Sequence, residues 1–294
     1  MNGLFNQERY REFEREMPFD FAKHSSIGCG GSAKLAFYPK TIEECCRLLG
    51  CLQQDKIEYT LIGNLSNVLP AENIKKVLIN TKKMSAIRII KENKIFAEAG
   101  VMSGKLLAFA RNTGLGGLEF LIGIPCTLGG ALYMNAGVSG RYISERVESV
   151  LVYREGAKVE IPVAECEYAY KHSLFMRTGE SILGATLRLT KTTLGEIKKA
   201  EAFYRDRRAH LPKGKSMGCV FKNPDGVSAG ALIERADLKG LRIGGAYVSE
   251  EHANFIINDG TATPKEIFQL IQTVKKAVYQ KSGILLEEEI RYLE

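Results

Sequence analysis

Residues 123–137 have the sequence GIPCTLGGALYMNAG, the stretch on which the fold assignment rests. A second loop of similar composition, GNLSNVL, occupies residues 63–69. Glycines at this density let backbone N–H groups approach a pyrophosphate closely, because no Cβ atom stands in the way. Neither loop has the G-x-G-x-x-G pattern or the Gly-Lys-Ser/Thr of a P-loop, which argues against a Rossmann dinucleotide site and against kinase-like chemistry. Taken alone, the loops are equally compatible with two tight turns between strands.

Short strands and helices alternate along the first two thirds of the chain. The pattern predicts a strand at 33–38, and Thr41 begins a predicted capping box (Thr-Ile-Glu-Glu) that opens a helix. With the apolar strand at 59–62, this strand–helix–strand unit is predicted to form a small first subdomain. One further helix is predicted at 103–112. The other predicted strands of this region are 77–79, 86–90, 95–99, 147–153 and 182–189.

The last third of the chain has its own helix and strand pattern. Residues 191–209 are charged and of helical composition, and they are predicted to bridge to a third region. There, Thr263 opens a predicted capping box with Pro264 at the first helical position. A final strand is predicted at 284–293. The chain as a whole is therefore predicted to be an α+β protein.

Composition and charge exclude several classes of protein. Of the 294 residues, 45% are hydrophobic, enough for two or three modest cores. The longest apolar runs fall far short of the ~18 residues of a membrane span, and residues 1–20 are charged, without the apolar stretch of a secretory signal. The net charge of +7 is spread along the chain rather than gathered into a nucleic-acid-binding arm. We therefore expect a cytoplasmic monomer that binds neither nucleic acid nor membrane.

The seven cysteines do not indicate a metal site. They include no C-x-x-C pair, and no Cys/His set has the spacing of zinc ligands. Cys45, Cys46 and Cys51 lie in a helical pattern and are predicted to be small core hydrophobes. Cys219 is a separate case, because its neighbours belong to a distinctive motif.

Several further segments resemble those of the UDP-N-acetylenolpyruvoylglucosamine reductases (UDP-N-acetylmuramate dehydrogenases). These are GLGGLEFL at 114–121, which runs into the second glycine-rich loop, and GCVFKNP at 218–224. The closing residues LEEEI, 286–290, match the family's last strand. The likeness covers residues 24–294 in order, and the length resembles the shorter of the family's two types.

The resemblance implies a fold, an activity and cofactors. The implied fold is the FAD-binding fold of vanillyl-alcohol-oxidase (PCMH) type, with two subdomains at about 1–70 and 71–195. Residues 196–294 are then an α+β substrate-binding domain whose last strand returns toward the active site. The implied reaction, in peptidoglycan precursor synthesis, reduces UDP-N-acetylglucosamine enolpyruvate to UDP-N-acetylmuramate with NADPH and FAD.

By the same resemblance, Cys219, Lys171 and Glu289 are the predicted catalytic residues. Cys219 stands where the family commonly has a serine that protonates the substrate; free thiols have a pKa of about 8.5 and are far better acids than alcohols. Lys171 stands where the family has an arginine, and it keeps the positive charge but loses the planar fork. Two alternatives stay open: an inert buried Cys219, and a surface Lys171 whose role His172 takes over.

The resemblance also assigns binding residues. In the two glycine-rich loops, Leu65 and Cys126 replace expected glycines, and each side chain either points away from the pyrophosphate or crowds it. For the substrate, Asn223 matches a residue that contacts the sugar nucleotide, His210 lies near a phosphate-binding lysine of some members, and Tyr170 precedes Lys171. The predicted FAD-binding residues are Gly63, Asn64, Ser66, Asn67, Gly123, Ile124, Pro125, Thr127, Gly129, Gly130, Asn135, Ala136 and Gly137.

Two other functions are compatible with the sequence. One is a flavoenzyme of the same fold with another substrate, which the changes at Lys171 and Cys219 would permit. The other is a catalytically inactive paralogue that binds a UDP-sugar or FAD.

Overall fold

The computed structural model describes residues 8–294, which form two compact units. The first unit contains residues 35–64 and 76–209 together with the described N-terminal residues up to Met17. The second contains residues 18–34, 65–75 and 210–294. The interpretation of residues 1–7 as part of a charged N-terminus lies outside the described residues.

Helices and mostly short strands alternate along the described chain. The helices are α1 (Glu8–Arg11), α2 (Phe21–His24), α3 (Ile42–Gln54), α4 (Ser103–Asn112), α5 (Leu128–Met134), α6 (Leu174–Thr178), α7 (Leu194–Arg208), α8 (Ala229–Arg235) and α9 (Pro264–Ser282). The strands are β1 (Arg15–Glu16), β2 (Phe19–Asp20), β3 (Ser32–Ala33), β4 (Ala36–Phe37), β5 (Tyr59–Ile62), β6 (Val68–Pro70), β7 (Asn73–Ile74), β8 (Val77–Asn80), β9 (Ile87–Lys91), β10 (Lys94–Glu98), β11 (Leu115–Gly116), β12 (Gly137–Val138), β13 (Arg141–Tyr142), β14 (Val147–Arg154), β15 (Ala157–Pro162), β16 (Ser181–Arg188), β17 (Thr190–Lys191), β18 (Lys215–Cys219), β19 (Arg242–Ile243), β20 (Ala246–Val248), β21 (Phe255–Asn258) and β22 (Arg291–Leu293). None of the described helices is both long and apolar enough to cross a bilayer.

The first unit contains a small sheet with strand order β1-β4-β8-β5, in which β4 and β5 run parallel to β8. The predicted strand at 33–38 is wrong as one element, because Ala33 pairs with Phe19 and Ile74 whereas Ala36 pairs with Leu78. The chain must therefore leave one sheet before it enters the next. Helix α3 begins at the predicted position, with the Thr41 hydroxyl accepting the Glu44 N–H at 3.1 Å. The predicted capping box is incomplete, because the Glu44 carboxylate accepts the Lys40 N–H at 2.9 Å instead of the Thr41 N–H.

The first unit also contains a five-stranded antiparallel sheet with order β15-β14-β16-β10-β9. Neighbouring residues on its strands enter two different cores, because side chains alternate between the faces of a strand. Ile95 and Ile182 pack in the core with α4 and α5, whereas Phe96 and Leu183 pack in the core with α3. The sheet therefore separates two hydrophobic layers, and the predicted helix at 103–112 is confirmed.

The second unit contains the sheet β18-β21-β20-β19 with α8 and α9 packed in its core. The capping box at Thr263 and Glu266 is present as predicted. The predicted strand at 284–293 is wrong except for β22, which pairs parallel to β6. The preceding N–H groups find other partners: Glu289 N–H donates to the Val220 carbonyl at 2.7 Å. The segment thus crosses the β18 loop instead of extending a ladder.

A buried side-chain amide closes that loop. Asn254, 3% exposed, accepts the Phe221 N–H at 2.9 Å and donates to the Phe221 carbonyl at 2.8 Å. The Asn254 backbone adds a bond to the preceding residue, with the Val220 N–H donating to the Asn254 carbonyl at 2.9 Å. One side chain therefore supplies both hydrogen bonds that a neighbouring strand would otherwise make.

We predict that Asn254→Leu, which keeps the shape and removes both hydrogen bonds, lowers the free energy of unfolding by about 2–4 kcal/mol, because each buried group left unpaired costs about 1–3 kcal/mol. Urea unfolding followed by circular dichroism measures the change. Asn73→Leu, at an exposed position of the same unit, is the matched control and should change stability by less than about 0.5 kcal/mol. Equal transitions for Asn254→Leu and the parent would contradict the structural role of the amide.

Candidate active site

The first two residues of the first glycine-rich loop, Gly63 and Asn64, meet the second loop within the first unit, and the bonded residues Asn64 and Pro125 are 61 positions apart in sequence. The Asn64 side-chain amide donates a hydrogen bond to the Pro125 carbonyl at 2.7 Å. A Cβ atom on Gly63 would lie 2.2 Å from Oγ1 of Thr127, a distance that real atoms do not reach. The loops that the sequence assigns to one ligand are thus brought together, and their contact requires glycine at position 63.

Helix α5 begins inside the second loop. Thr127 is its N-cap, and Oγ1 of Thr127 accepts the Gly130 N–H at 3.3 Å. The Leu128 N–H donates to the Val101 carbonyl and the Gly129 N–H to the Ala99 carbonyl, both at 2.8 Å. These bonds hold the start of α5 against the residues that directly follow β10.

Gly129 and Gly130 differ in what surrounds them. A Cβ atom on Gly129 would lie 3.1 Å from the Cβ atom of Ala99, so this glycine serves packing inside the protein. Gly130 is exposed, and the nearest atom to its Cβ position is Oγ1 of Thr127 at 3.4 Å. The face of α5 at Gly130 is therefore open to a ligand, which fits the close approach of a cofactor phosphate.

The two residues that replace expected glycines are accommodated in different ways. Cys126 is 8% exposed and lies in the core with α4, where burial raises the pKa of its thiol to about 11. It therefore points away from the loop surface. Leu65 is 4% exposed and adopts φ 51°, the left-handed conformation that costs a side-chain-bearing residue about 1–2 kcal/mol.

The rest of the second loop is held by short-range bonds. Gly123 has φ 72°, and the Ile124 N–H donates to the Leu121 carbonyl at 3.0 Å. A Cβ atom on Gly137 would lie 2.3 Å from the Arg141 carbonyl oxygen, and the Ala136 carbonyl accepts the Ile143 N–H at 2.9 Å. These residues shape the loop around α5.

Lys171 lies at the tip of a tight turn in the first unit. Ala169 and His172 exchange both backbone hydrogen bonds, at 3.2 and 3.3 Å, which leaves Tyr170 and Lys171 between them. The Tyr170 ring packs edge-on against Tyr142 at 6.5 Å between centroids. Lys171 has φ 52°, so the backbone of the turn is in a conformation that most residues avoid.

Asn135, a predicted FAD-binding residue, lies beneath this turn. It is 3% exposed, and its side-chain amide donates to the Ala169 carbonyl at 2.9 Å and accepts the Ser144 N–H at 3.3 Å. Fully buried Ser173 donates its hydroxyl to the Tyr133 carbonyl at 2.6 Å. The role of these two residues as anchors is not predicted from the sequence, where its one signal is that polar side chains interrupt apolar stretches.

Within the second unit, Cys219 and Glu289 come to the same loop. Cys219 is the last residue of β18 and pairs with Phe255 of β21. The next residue, Val220, accepts the Glu289 N–H at 2.7 Å. Asn67 donates from its side chain to the Glu289 carbonyl at 3.2 Å. Backbone bonds thus gather three predicted site residues from distant parts of the sequence.

The predicted substrate residues lie in different settings. The Asn223 side chain accepts the Ala229 N–H at 3.0 Å, where α8 begins. His210 is exposed at the start of the last segment of the second unit, and Ser66 is half-buried. In the described part of the chain, no three His, Cys, Asp or Glu residues are grouped so that they could hold a metal ion.

Two family models match the chain. Residues 209–293 match the UDP-N-acetylenolpyruvoylglucosamine reductase, C-terminal domain, and residues 33–160 match an FAD binding domain.

Relatives of that name match nearly the whole chain. The UDP-N-acetylenolpyruvoylglucosamine reductase of Geobacter metallireducens is 38% identical over 283 residues, 95% of this chain and 93% of the relative. That of Caldicellulosiruptor saccharolyticus is 36% identical over 289 residues, 96% and 92% of the two chains. The crystal structure of UDP-N-acetylenolpyruvylglucosamine reductase from Thermus caldophilus is 31% identical, with a TM-score of 0.81 over 96% of this chain and 99% of that chain.

We predict that Gly130→Val gives a folded protein without FAD, because the added side chain meets open space in the protein but occupies the face where the phosphates would approach. Flavin absorbance relative to protein absorbance, and the far-ultraviolet circular dichroism spectrum, measure the two effects. Gly50→Val is the matched control, since Gly50 also lies in a helix and its Cβ position is also 3.4 Å from the nearest atom, the Tyr153 hydroxyl oxygen. Full flavin content in Gly130→Val would refute this position for the cofactor.

Proposed function

This chain belongs to the UDP-N-acetylenolpyruvoylglucosamine reductase family, and we propose that it reduces the enolpyruvyl group of UDP-N-acetylglucosamine enolpyruvate to give UDP-N-acetylmuramate. The family and the FAD-binding fold predicted from the sequence are confirmed by the matches over nearly the whole chain. The product is a peptidoglycan precursor, and the expected setting is the cytoplasm. We expect a monomer that binds neither nucleic acid nor membrane.

The observation that carries this proposal is the crossing of two segments at Val220. It places the Cys219 thiol, which can donate a proton, one residue from the backbone bond that holds Glu289. Saturation of a polarised double bond requires a proton donor beside the hydride source, and the Cys219 thiol is the proposed donor. The contact between Gly63 and Thr127 supports a phosphate-bearing cofactor in the first unit.

The cofactor and the protein divide the chemistry. When bound, FAD would be held by the two glycine-rich loops, at Gly63 and Gly130 among others, and would supply the hydride, taken from NADPH, for the β-carbon of the enolpyruvyl group. Cys219 donates its S–H proton to the α-carbon, so that one hydride and one proton add across the double bond. The resulting thiolate regains its proton from solvent before the next turnover.

Lys171 and Glu289 have proposed electrostatic roles. As hydride adds to the β-carbon, negative charge grows on the α-carbon and the attached carboxylate. A fixed ammonium from Lys171 stabilises that charge more in the transition state than in the ground state. Glu289 orients the substrate on the side of the proton donor. The Glu289 backbone is held by a hydrogen bond from the Asn67 side chain to the Glu289 carbonyl at 3.2 Å.

An anaerobic two-step experiment tests the function. Adding NADPH to the purified protein should bleach the flavin absorbance, and adding UDP-N-acetylglucosamine enolpyruvate without oxygen should restore it. Bleaching without recovery would favour a flavoenzyme with another substrate. Bound flavin that NADPH fails to bleach would favour an inactive paralogue.

We predict that Cys219→Ala leaves flavin reduction by NADPH intact and slows reoxidation by the enolpyruvyl substrate by at least ~100-fold, the usual lower contribution of a positioned acid. Stopped-flow absorbance under anaerobic conditions measures the two half-reactions separately. Cys219→Ser keeps a proton donor at the position and should retain activity. An alanine variant that reoxidises at the parent rate would show that Cys219 is not the donor.

A further inference from the structure

The conformation of the Lys171 turn requires support from outside the turn. With φ 52°, Lys171 occupies the left-handed region that residues with side chains rarely adopt. Such a conformation persists only where surrounding contacts fix it. The two backbone bonds between Ala169 and His172 close the turn.

Both ends of the turn are fastened to the last residues of helix α5 and its cap. At one end, the Asn135 amide donates to the Ala169 carbonyl at 2.9 Å. At the other end, the Ser173 hydroxyl donates to the Tyr133 carbonyl at 2.6 Å. Both anchoring side chains are buried, with Asn135 3% and Ser173 0% exposed, whereas the bonds that they make are partly buried.

The backbone of Asn135 does not by itself explain an asparagine there. Asn135 ends α5 in the left-handed conformation, φ 44° and ψ 56°, where glycine is the most favourable residue. Glycine would nevertheless leave the Ala169 carbonyl and the Ser144 N–H without their side-chain partner. The amide donates one hydrogen bond, to Ala169, and accepts another, from Ser144, which explains why asparagine and not glycine stands at position 135.

We propose that Asn135 is a positioning residue for Lys171, an inference that rests on the proposed function. Helix α5 carries the open face at Gly130 near its start and Asn135 at its end. The amide therefore ties the position of the ammonium to the same short helix that faces the cofactor. Asn135 acts through the turn, without contacting the substrate.

The first test uses Asn135→Gly, which keeps the left-handed backbone and removes the amide. Anaerobic reoxidation by the enolpyruvyl substrate, measured in protein with full flavin content, should slow about 10-fold, as expected for one net hydrogen bond. The dissociation constant of the UDP-sugar substrate should change less than about 3-fold, because the loss falls on the transition state. Ser139→Gly, at an exposed left-handed position with φ 55°, is the control and should match the parent.

The second test is a double-mutant cycle with Lys171→Met. If Asn135 acts through Lys171, then Asn135→Gly should have no further effect on reoxidation in the Lys171→Met background. Hydrogen exchange of the apoprotein, which needs no activity, should show faster exchange at the His172 N–H in Asn135→Gly than in the parent.

The possible outcomes distinguish a failure of the positioning role of Asn135 from a failure of the proposed function. A slow Lys171→Met variant with a normal Asn135→Gly variant, or effects that multiply in the double variant, would overturn the positioning role alone. A Lys171→Met variant that reoxidises normally would overturn the role of Lys171 and the positioning role with it. A parent protein that the enolpyruvyl substrate fails to reoxidise would overturn the proposed function itself.

Discussion

The contact between Gly63 and Thr127 is the constraint on which the candidate site of the first unit depends. With a Cβ position only 2.2 Å from the threonine oxygen, residue 63 has room for hydrogen alone. The same oxygen caps α5 by accepting the Gly130 N–H. One atom thus joins the two glycine-rich loops and fixes where α5 begins, and α5 in turn determines the positions of Gly130 and Asn135.

In the second unit, a side chain, that of Asn254, holds the loop next to the candidate site. The chain leaves the sheet directly after Cys219, so the backbone groups of the next residues lose their strand partners. Asn254 and the Glu289 backbone replace those partners at Phe221 and Val220. Since buried N–H and C=O groups must be paired, the loop next to the proposed proton donor depends on an amide, that of Asn254, which has no proposed part in the chemistry.

Part of this structure follows from local sequence. Helices α4 and α9 were predictable because their apolar periodicity is local, and at α9 the cap is local too. The strand predicted at 284–293 is wrong for most of its length, since only Arg291–Leu293 pair with a neighbouring strand. Its apolar residues indicate burial, but they do not indicate the hydrogen-bond partners of the backbone. The family could be recognised from motifs, whereas the amide bonds of Asn135 with Ala169 and of Asn254 with Phe221 join residues that are 34 and 33 positions apart. Roles for the individual site residues therefore stay predictions.

The two departures from the family's catalytic pattern have opposite consequences under the proposed roles. Lysine at 171 offers a single charged point in place of a planar fork, so it stabilises the carboxylate of the transition state less specifically. A thiol at 219 is a stronger acid than the serine hydroxyl it replaces, so it transfers its proton to a less stabilised carbanion. Weaker electrostatic stabilisation and easier protonation offset each other along the same reaction coordinate. The placement of Lys171 then matters more than that of an arginine would. If the turn is displaced, a guanidinium can still contact the carboxylate through a second N–H group, whereas an ammonium is a single point of charge.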